Sequence, residues 1–262
     1  MKKFIGLGMT AILLAVSLVS LSGCIDYNRT VGSKNIETRQ FDYSGFKRIE
    51  VSNAFTVMIT KSDIYAVVVT MNDNLFDDLD ISMNGDTLQI GMKSISHFVN
   101  TTQHAEIALP ELDSLTITGA CHAEVTDFQS NGSINLEVTG ASGMVINSLK
   151  ATDTTIKVIG ASHLSGSLVT NNAYFNVTGA SNINLTGSAA KMQVNVIGAS
   201  HAALTGFIVG DAAVTAVGAS TAEVEVHGTL DINVSGVSTL VYGDSPKLGE
   251  VEVSGISTLR RR

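Results

Sequence analysis

Three histidines stand in one register of the chain. His122, His163 and His201 each follow, by three residues, the glycine of a recurring phrase: Gly119-Ala120-Cys121-His122, Gly160-Ala161-Ser162-His163 and Gly198-Ala199-Ser200-His201. Neutral imidazoles in one column are ligands for zinc and its neighbours. The spacing speaks against a shared site. Two further phrases intervene and put Gly143 and Asn182 at the same position. If the phrases stack at strand spacing, successive histidine Cα atoms stand about 9–10 Å apart. Zinc holds each ligand nitrogen at about 2 Å. The expectation is a face of exposed polar residues, with no metal and no cofactor. His97, His104 and His227 are scattered.

The carboxylates offer little more. Glu124 and Glu223 both stand five residues after a repeat glycine, but five repeats apart. Glu137 and Lys157 share a register in adjacent repeats, which reads as a surface ion pair of small worth. The stretch 72–80 carries Asp73, Asp77, Asp78 and Asp80. It lacks the ordered spacing and turn glycine of a calcium loop, so a solvated acidic loop is expected. No pair of acids converges at a spacing suited to glycosidic cleavage. No Gly-x-Ser-x-Gly elbow and no phosphate loop is present. The expectation is a protein without catalysis. A polysaccharide-processing β-helix enzyme is the alternative, and it would need acids or histidines gathered in a groove.

The elements that position these residues are set by the repeat. Its glycines are Gly119, Gly140, Gly160, Gly179, Gly198, Gly218, Gly236 and Gly255, at intervals of 21, 20, 19, 19, 20, 18 and 19 residues. Four and two residues before each glycine every side chain is apolar, as in Phe175 and Val177 or Val194 and Val196. The position between them is polar in all eight. Strict alternation gives a strand with one buried and one wet face. Gly-Ala-Ser reads as a sharp bend, with the Ser column from Ser142 to Ser257 stacked inward or at the corner, hydroxyl on hydroxyl. Cys121 takes the Ser place in the first phrase. A period near 20 residues with in-register phrases predicts an all-β, single-domain parallel β-solenoid (β-helix) with coils of about 19–21 residues. A β-sandwich of regular hairpins is the alternative.

One outward column is a candidate contact surface. The residues just before the glycines are Thr118, Thr139, Ile159, Thr178, Ile197, Val217, Ser235 and Ser254. With the Ala column just after the glycines they form a flat strip of small and apolar side chains, centred on Ile159, Ile197 and Val217. Such a strip fits a glycan, a strand of another protein, or a second copy of the chain through self-association.

The N-terminal stretch reads as an address. Lys2 and Lys3 precede an apolar run from Phe4 to Val19, and Leu21-Ser22-Gly23-Cys24 resembles a bacterial lipobox. The expected division is a lipoprotein signal peptide at 1–23, a flexible tether at 24–40 and a solenoid head at 41–262. Lipidation of Cys24 would tie the chain to a membrane in the cell envelope, with the outer membrane expected. The formal charge is −8, and becomes −10 when residues 1–23, with two lysines and no acid, are removed. An acidic domain of this kind is unsuited to nucleic acid. Cys24 and Cys121 are the two cysteines, so no disulfide framework is expected.

Within 41–118 the same logic continues less regularly. Ile49, Val51, Phe55, Val57 and Ile59 alternate about Asn53-Ala54, a degenerate bend with Asn in the glycine place. Three stretches carry a family resemblance: Phe46-Lys47-Arg48-Ile49-Glu50-Val51-Ser52-Asn53-Ala54-Phe55, Gly85-Asp86-Thr87-Leu88-Gln89-Ile90, and Leu109-Pro110-Glu111-Leu112 leading into Gly119-Ala120. Over residues 41–262 the chain resembles the auto-transporter adhesin head (GIN) domain of Bacteroidetes lipoproteins. The resemblance implies a β-solenoid, an exported location and an adhesin-like role, and it brings no catalytic residues. A periplasmic structural lipoprotein without an external ligand is the further alternative.

Overall fold

The computed structural model describes residues 29–93 and 97–262. The expected signal peptide at 1–23 and Cys24, the expected lipidation site, lie outside the described residues. The repeat folds as a parallel β-solenoid of about seven turns. Phe175, Val177, Val194 and Val196 are buried, and the polar residues between them face out. Adjacent coils pair in parallel with glycine on glycine, from Gly119 through Gly140, Gly160, Gly179, Gly198 and Gly218 to Gly236.

The glycines are required by both backbone and space. Gly160 has φ +94°, and a Cβ there would stand 2.5 Å from the carbonyl oxygen of Gly140. An L side chain is strained in that conformation and has no room.

Each coil turns two more corners. Along His201–Gly218 the buried side chains are Ala202 and Leu204, then Phe207 and Val209, then Ala212, Val214 and Ala216. Each three-residue step breaks the strand period of two and marks a corner. With the glycine bend this makes a three-sided coil. Its inward side chains form one continuous core running from Phe46 to Leu240.

The buried serines are satisfied in a regular way. The Ser162 hydroxyl donates to Ile159 O at 2.9 Å and accepts from the Ser142 N–H at 3.3 Å. Ser181 and Ser142 repeat the pattern. The hydroxyls therefore bond to backbone rather than to one another, except at Ser220 and Ser238, whose oxygens lie 3.2 Å apart. From Ser142 to Ser200 each one satisfies an orphan N–H and an orphan carbonyl at the bend, where the ladder is interrupted. Cys121 keeps the place, with its Sγ 3.3 Å from Thr118 O, and burial pushes its thiol up.

The N-terminal third starts the stack and closes it. Arg48–Val51 pairs in parallel with Ser114–Gly119 on one side and Thr87–Met92 on the other. Asn53 and Ala54 both adopt φ 63°, forming the degenerate bend. Three antiparallel additions then cover the end. Ala66–Asn72 lies between Gln103–Leu109 and Ile36–Phe41, and Leu79–Asn84 lies beside Thr87–Met92.

Two expectations are corrected here. The stretch 24–40 is not a tether through its length, because Arg29–Val31 pairs with His97–Val99 and Ile36–Phe41 is the outer strand of the cap. An edge strand with one free side needs little apolar alternation, so its polar sequence hides it. The acidic stretch is a 3-10 helix, Asp73–Asp78, that buries Leu75 and Phe76 against the core. Its Asp73 carboxylate takes hydrogen bonds from Ser33 and Asn35, which hold it below the usual carboxylate range.

At the other end, in Lys247–Val253, the inward-phase residues Val251 and Val253 are exposed, and among the described residues no coil covers them. No helix among the described residues is long and apolar enough to cross a membrane.

Candidate functional site

The side of the coil that runs into the glycine bend presents an ordered surface. Its outward residues fall in straight columns, because every coil keeps register with the next. One column is Thr155, Tyr174, Gln193, Ala213 and Asp231. Beside it run Asn172, Lys191 and Asp211, and on its other flank Lys157, Asn176, Asn195, Thr215, Asn233 and Glu252. The expected Lys157–Glu137 pair is present at 3.4 Å, at the surface.

Ala213, between Gln193 and Asp231 in the central column, leaves a shallow groove. Its main part, about 390 Å³, lies between Tyr174, Lys191, Gln193, Ala213 and Asp231. Smaller depressions continue it past Asn176 in one direction and toward Glu252 in the other. Tyr174 is 48 % exposed, an aromatic ring among amides and charges. Asp211 and Asp231 are tied to the backbone: one oxygen of each accepts an N–H, from Thr229 at 2.8 Å and from Glu250 at 2.9 Å.

The strip expected from sequence lies on the same side, at the corner. Ile159, Ile197 and Val217 share one column with Thr139, Thr178 and Ser235. Ile197 is 38 % exposed, and Ile159 and Val217 are half-buried. Their backbone is held from below, since Ser162 and Ser200 donate to the carbonyls of Ile159 and Ile197 at 2.9 Å. Past the bend the exposed Ala column ends in Val237 and Ile256, at 63 % and 82 % exposure. Corner and groove therefore form one face of mixed polar and apolar side chains. Replacing Ile197 with Asp should cost less than about 1 kcal/mol of stability, because the side chain already meets water. Thermal unfolding checks this, and loss of the fold would place the column in the core.

Sequence reading missed Tyr174 and the groove. The signal was present: Tyr174 is an aromatic at an outward position, five residues before its glycine, where Thr155, Gln193 and Ala213 stand in other coils. The histidines occupy a different side. Their register is His104, Thr56, His122, Gly143, His163, Asn182, His201. Among the described residues no group of three or more His, Cys, Asp or Glu side chains is placed to hold a metal.

A three-sided parallel solenoid with one end capped and one ordered open face defines the class of protein. The chain belongs to the family described as "Putative auto-transporter adhesin, head GIN domain", whose model matches residues 45–246. Solved structures share the fold. A "putative lipid binding protein" from Parabacteroides distasonis is 19 % identical, with TM-score 0.80, covering 90 % of this chain and 100 % of its own. A "putative adhesin" from Parabacteroides merdae is 15 % identical, with TM-score 0.80, 90 % of this chain and 99 % of its own. A "putative adhesin" from Bacteroides fragilis is 15 % identical, with TM-score 0.65, 89 % of this chain and 100 % of its own. No curated protein matches the chain significantly.

Proposed function

We propose that the chain is an exported, non-catalytic head domain, anchored to the cell envelope through a lipidated Cys24, that binds glycan on the face centred on Tyr174. The observation that carries the reading is the groove itself: an exposed aromatic ring flanked by Asn172, Lys191, Gln193, Asn176 and Asn195. A flat ring offers apolar contact to the C–H face of a sugar. Amide side chains both donate and accept, which matches neighbouring hydroxyl groups. Stacked coils repeat these groups along the rod, so an extended polymer can be followed over several units.

Other uses of the face are less well supported. An acyl chain needs an enclosed apolar cavity, and this groove is open to solvent, with Lys191, Asp211 and Asp231 among its lining residues. An acid/base pair needs two free carboxyl groups across the substrate, and the family description and the solved relatives' names are of adhesins and a lipid-binding protein, not of an enzyme. The family name favours adhesion.

The test is a glycan screen with the full-length chain, its Tyr174→Ala variant and its Ile197→Asp variant. Tyr174→Ala should weaken binding about tenfold or more, the equivalent of about 1.4 kcal/mol. Ile197→Asp should weaken it if the ligand reaches the corner. Unchanged binding in both variants would remove the face from the reading. Protease shaving of intact cells then locates the domain: release of peptides from 41–262 supports adhesion, and protection until lysis supports a role inside the envelope.

A further inference from the structure

The histidine column contains one gap, and the gap changes its chemistry. His122 and His163 lie two coils apart in one register, with Gly143 between them. At residue 143 a Cβ would stand 2.6 Å from His163 Nε2 and 3.1 Å from His122 Nδ1. Both imidazoles therefore lean into the space left by the missing side chain, from above and below. Gly143 is buried beneath them. Its backbone does not require glycine, since it is not among the positive-φ residues. The neighbouring spacers differ, because Thr56 separates His104 from His122 and Asn182 separates His163 from His201.

We propose that His122 and His163, brought together over Gly143, form a two-imidazole site for a divalent transition-metal ion of the copper–nickel–zinc group. Two metal–nitrogen bonds of about 2.0–2.1 Å span up to about 4 Å between nitrogens. Converging rings on a common vacant position reach that with small side-chain rotations, and the histidines are exposed enough to make them. Imidazole selects this group of ions, while calcium and magnesium prefer oxygen. Glu124, two residues along the same strand, is engaged by Asn147 Nδ2 at 2.5 Å. Solvent supplies the remaining ligands, so the site is labile and suits ion capture or exchange rather than structure.

Counted as coil spacings between Cα atoms, the two histidines stand far apart for one ion; the proposal rests instead on a spacer without Cβ, which lets both rings tilt inward.

The experiment is titration of the folded full-length chain with Cu²⁺ and Zn²⁺, with electron paramagnetic resonance of the Cu²⁺ form. One equivalent should bind, with hyperfine structure from two nitrogens, and Cu²⁺ more tightly than Zn²⁺. Changes outside the ligand set alone cost about 10–100-fold in affinity at metal sites, so His122→Gln or His163→Gln should cost at least tenfold. Gly143→Ala retains both histidines but fills the gap, and should cost as much. His201→Gln should bind like the parent. Absence of binding in the parent, equal binding in Gly143→Ala, or an equal loss in His201→Gln would each overturn the assignment. Circular dichroism of every variant confirms that losses are not unfolding.

Discussion

Gly160→Ala, a single added methyl, is expected to remove about 3–5 kcal/mol of stability. Two penalties add. The residue sits at φ +94°, where an L side chain costs about 1–2 kcal/mol. Its Cβ would also stand 2.5 Å from Gly140 O. That oxygen already accepts the Ala161 N–H at 2.8 Å, so it cannot swing aside without breaking the bend's own hydrogen bond. Relief requires the coils to separate, which weakens the parallel ladder on both sides. Domains are stable by about 5–15 kcal/mol, so the variant loses a large share of its margin. Gly45→Ala is the control. Gly45 has φ +78° but nothing within 4 Å of a Cβ, so it should show the conformational penalty alone, about 1–2 kcal/mol. Urea denaturation of both separates stacking from strain. Equal losses would mean that the stacked glycines tolerate a methyl.

The difference between those two glycines also shows what was legible in the sequence. Repetition of Gly-Ala-Ser with apolar residues two and four before it specifies stacked coils, because register and burial follow from period alone. The Asn53-Ala54 bend was legible for the same reason. The cap was not. Ile36–Phe41 is a strand because Ala66–Asn72 offers it an edge, and Arg39 there lies 4.0 Å over the ring of Phe76 while pairing with Glu37 at 2.8 Å. Those partners are distant in sequence, and the strand's own polar composition resembles a linker. The direction of the serine bonds was also hidden, since an inward column does not say whether a hydroxyl meets its neighbour or the backbone.

The site was legible in part. The corner column containing Ile159, Ile197 and Val217 faces out as its alternation requires. Tyr174 belongs to a column whose other members are Thr155, Gln193, Ala213 and Asp231, and no pattern of residue types marks that column as a groove. Its shape depends on which side chains adjacent coils set beside one another, a property of the stack. Gly143 is similar. Within the repeat it occupies an ordinary position three after a glycine, and its meaning depends on which side chains the coils above and below present.

Phe175→Ala is expected to cost about 3–5 kcal/mol, comparable to the glycine change but by a different route. Phe175 is 1 % exposed and stacks inward between Ile156 and Val194. Its ring centroid lies 5.7 Å from that of Phe207, at an interplanar angle of 58°. Deleting the ring removes its transfer free energy and leaves a cavity. In a helical protein neighbouring elements could shift to fill it. Here the walls are parallel ladders locked on both sides by adjacent coils, so collapse is limited. Phe207→Ala should cost a similar amount, with a coupling of about 0.5–1.5 kcal/mol in the double variant, since the two rings contact each other. Hydrogen exchange distinguishes a local from a global effect. Repeats interact mainly with nearest neighbours, so protection should fall first in the coils between Gly160 and Gly218 and persist in Arg48–Val51 and Gln103–Leu109 near the cap. A loss below about 1.5 kcal/mol would show that the coils relax around the cavity. A uniform loss of protection would show that cap and solenoid unfold as one unit, so that the antiparallel strands at the N-terminal end stabilise every coil and not only the first.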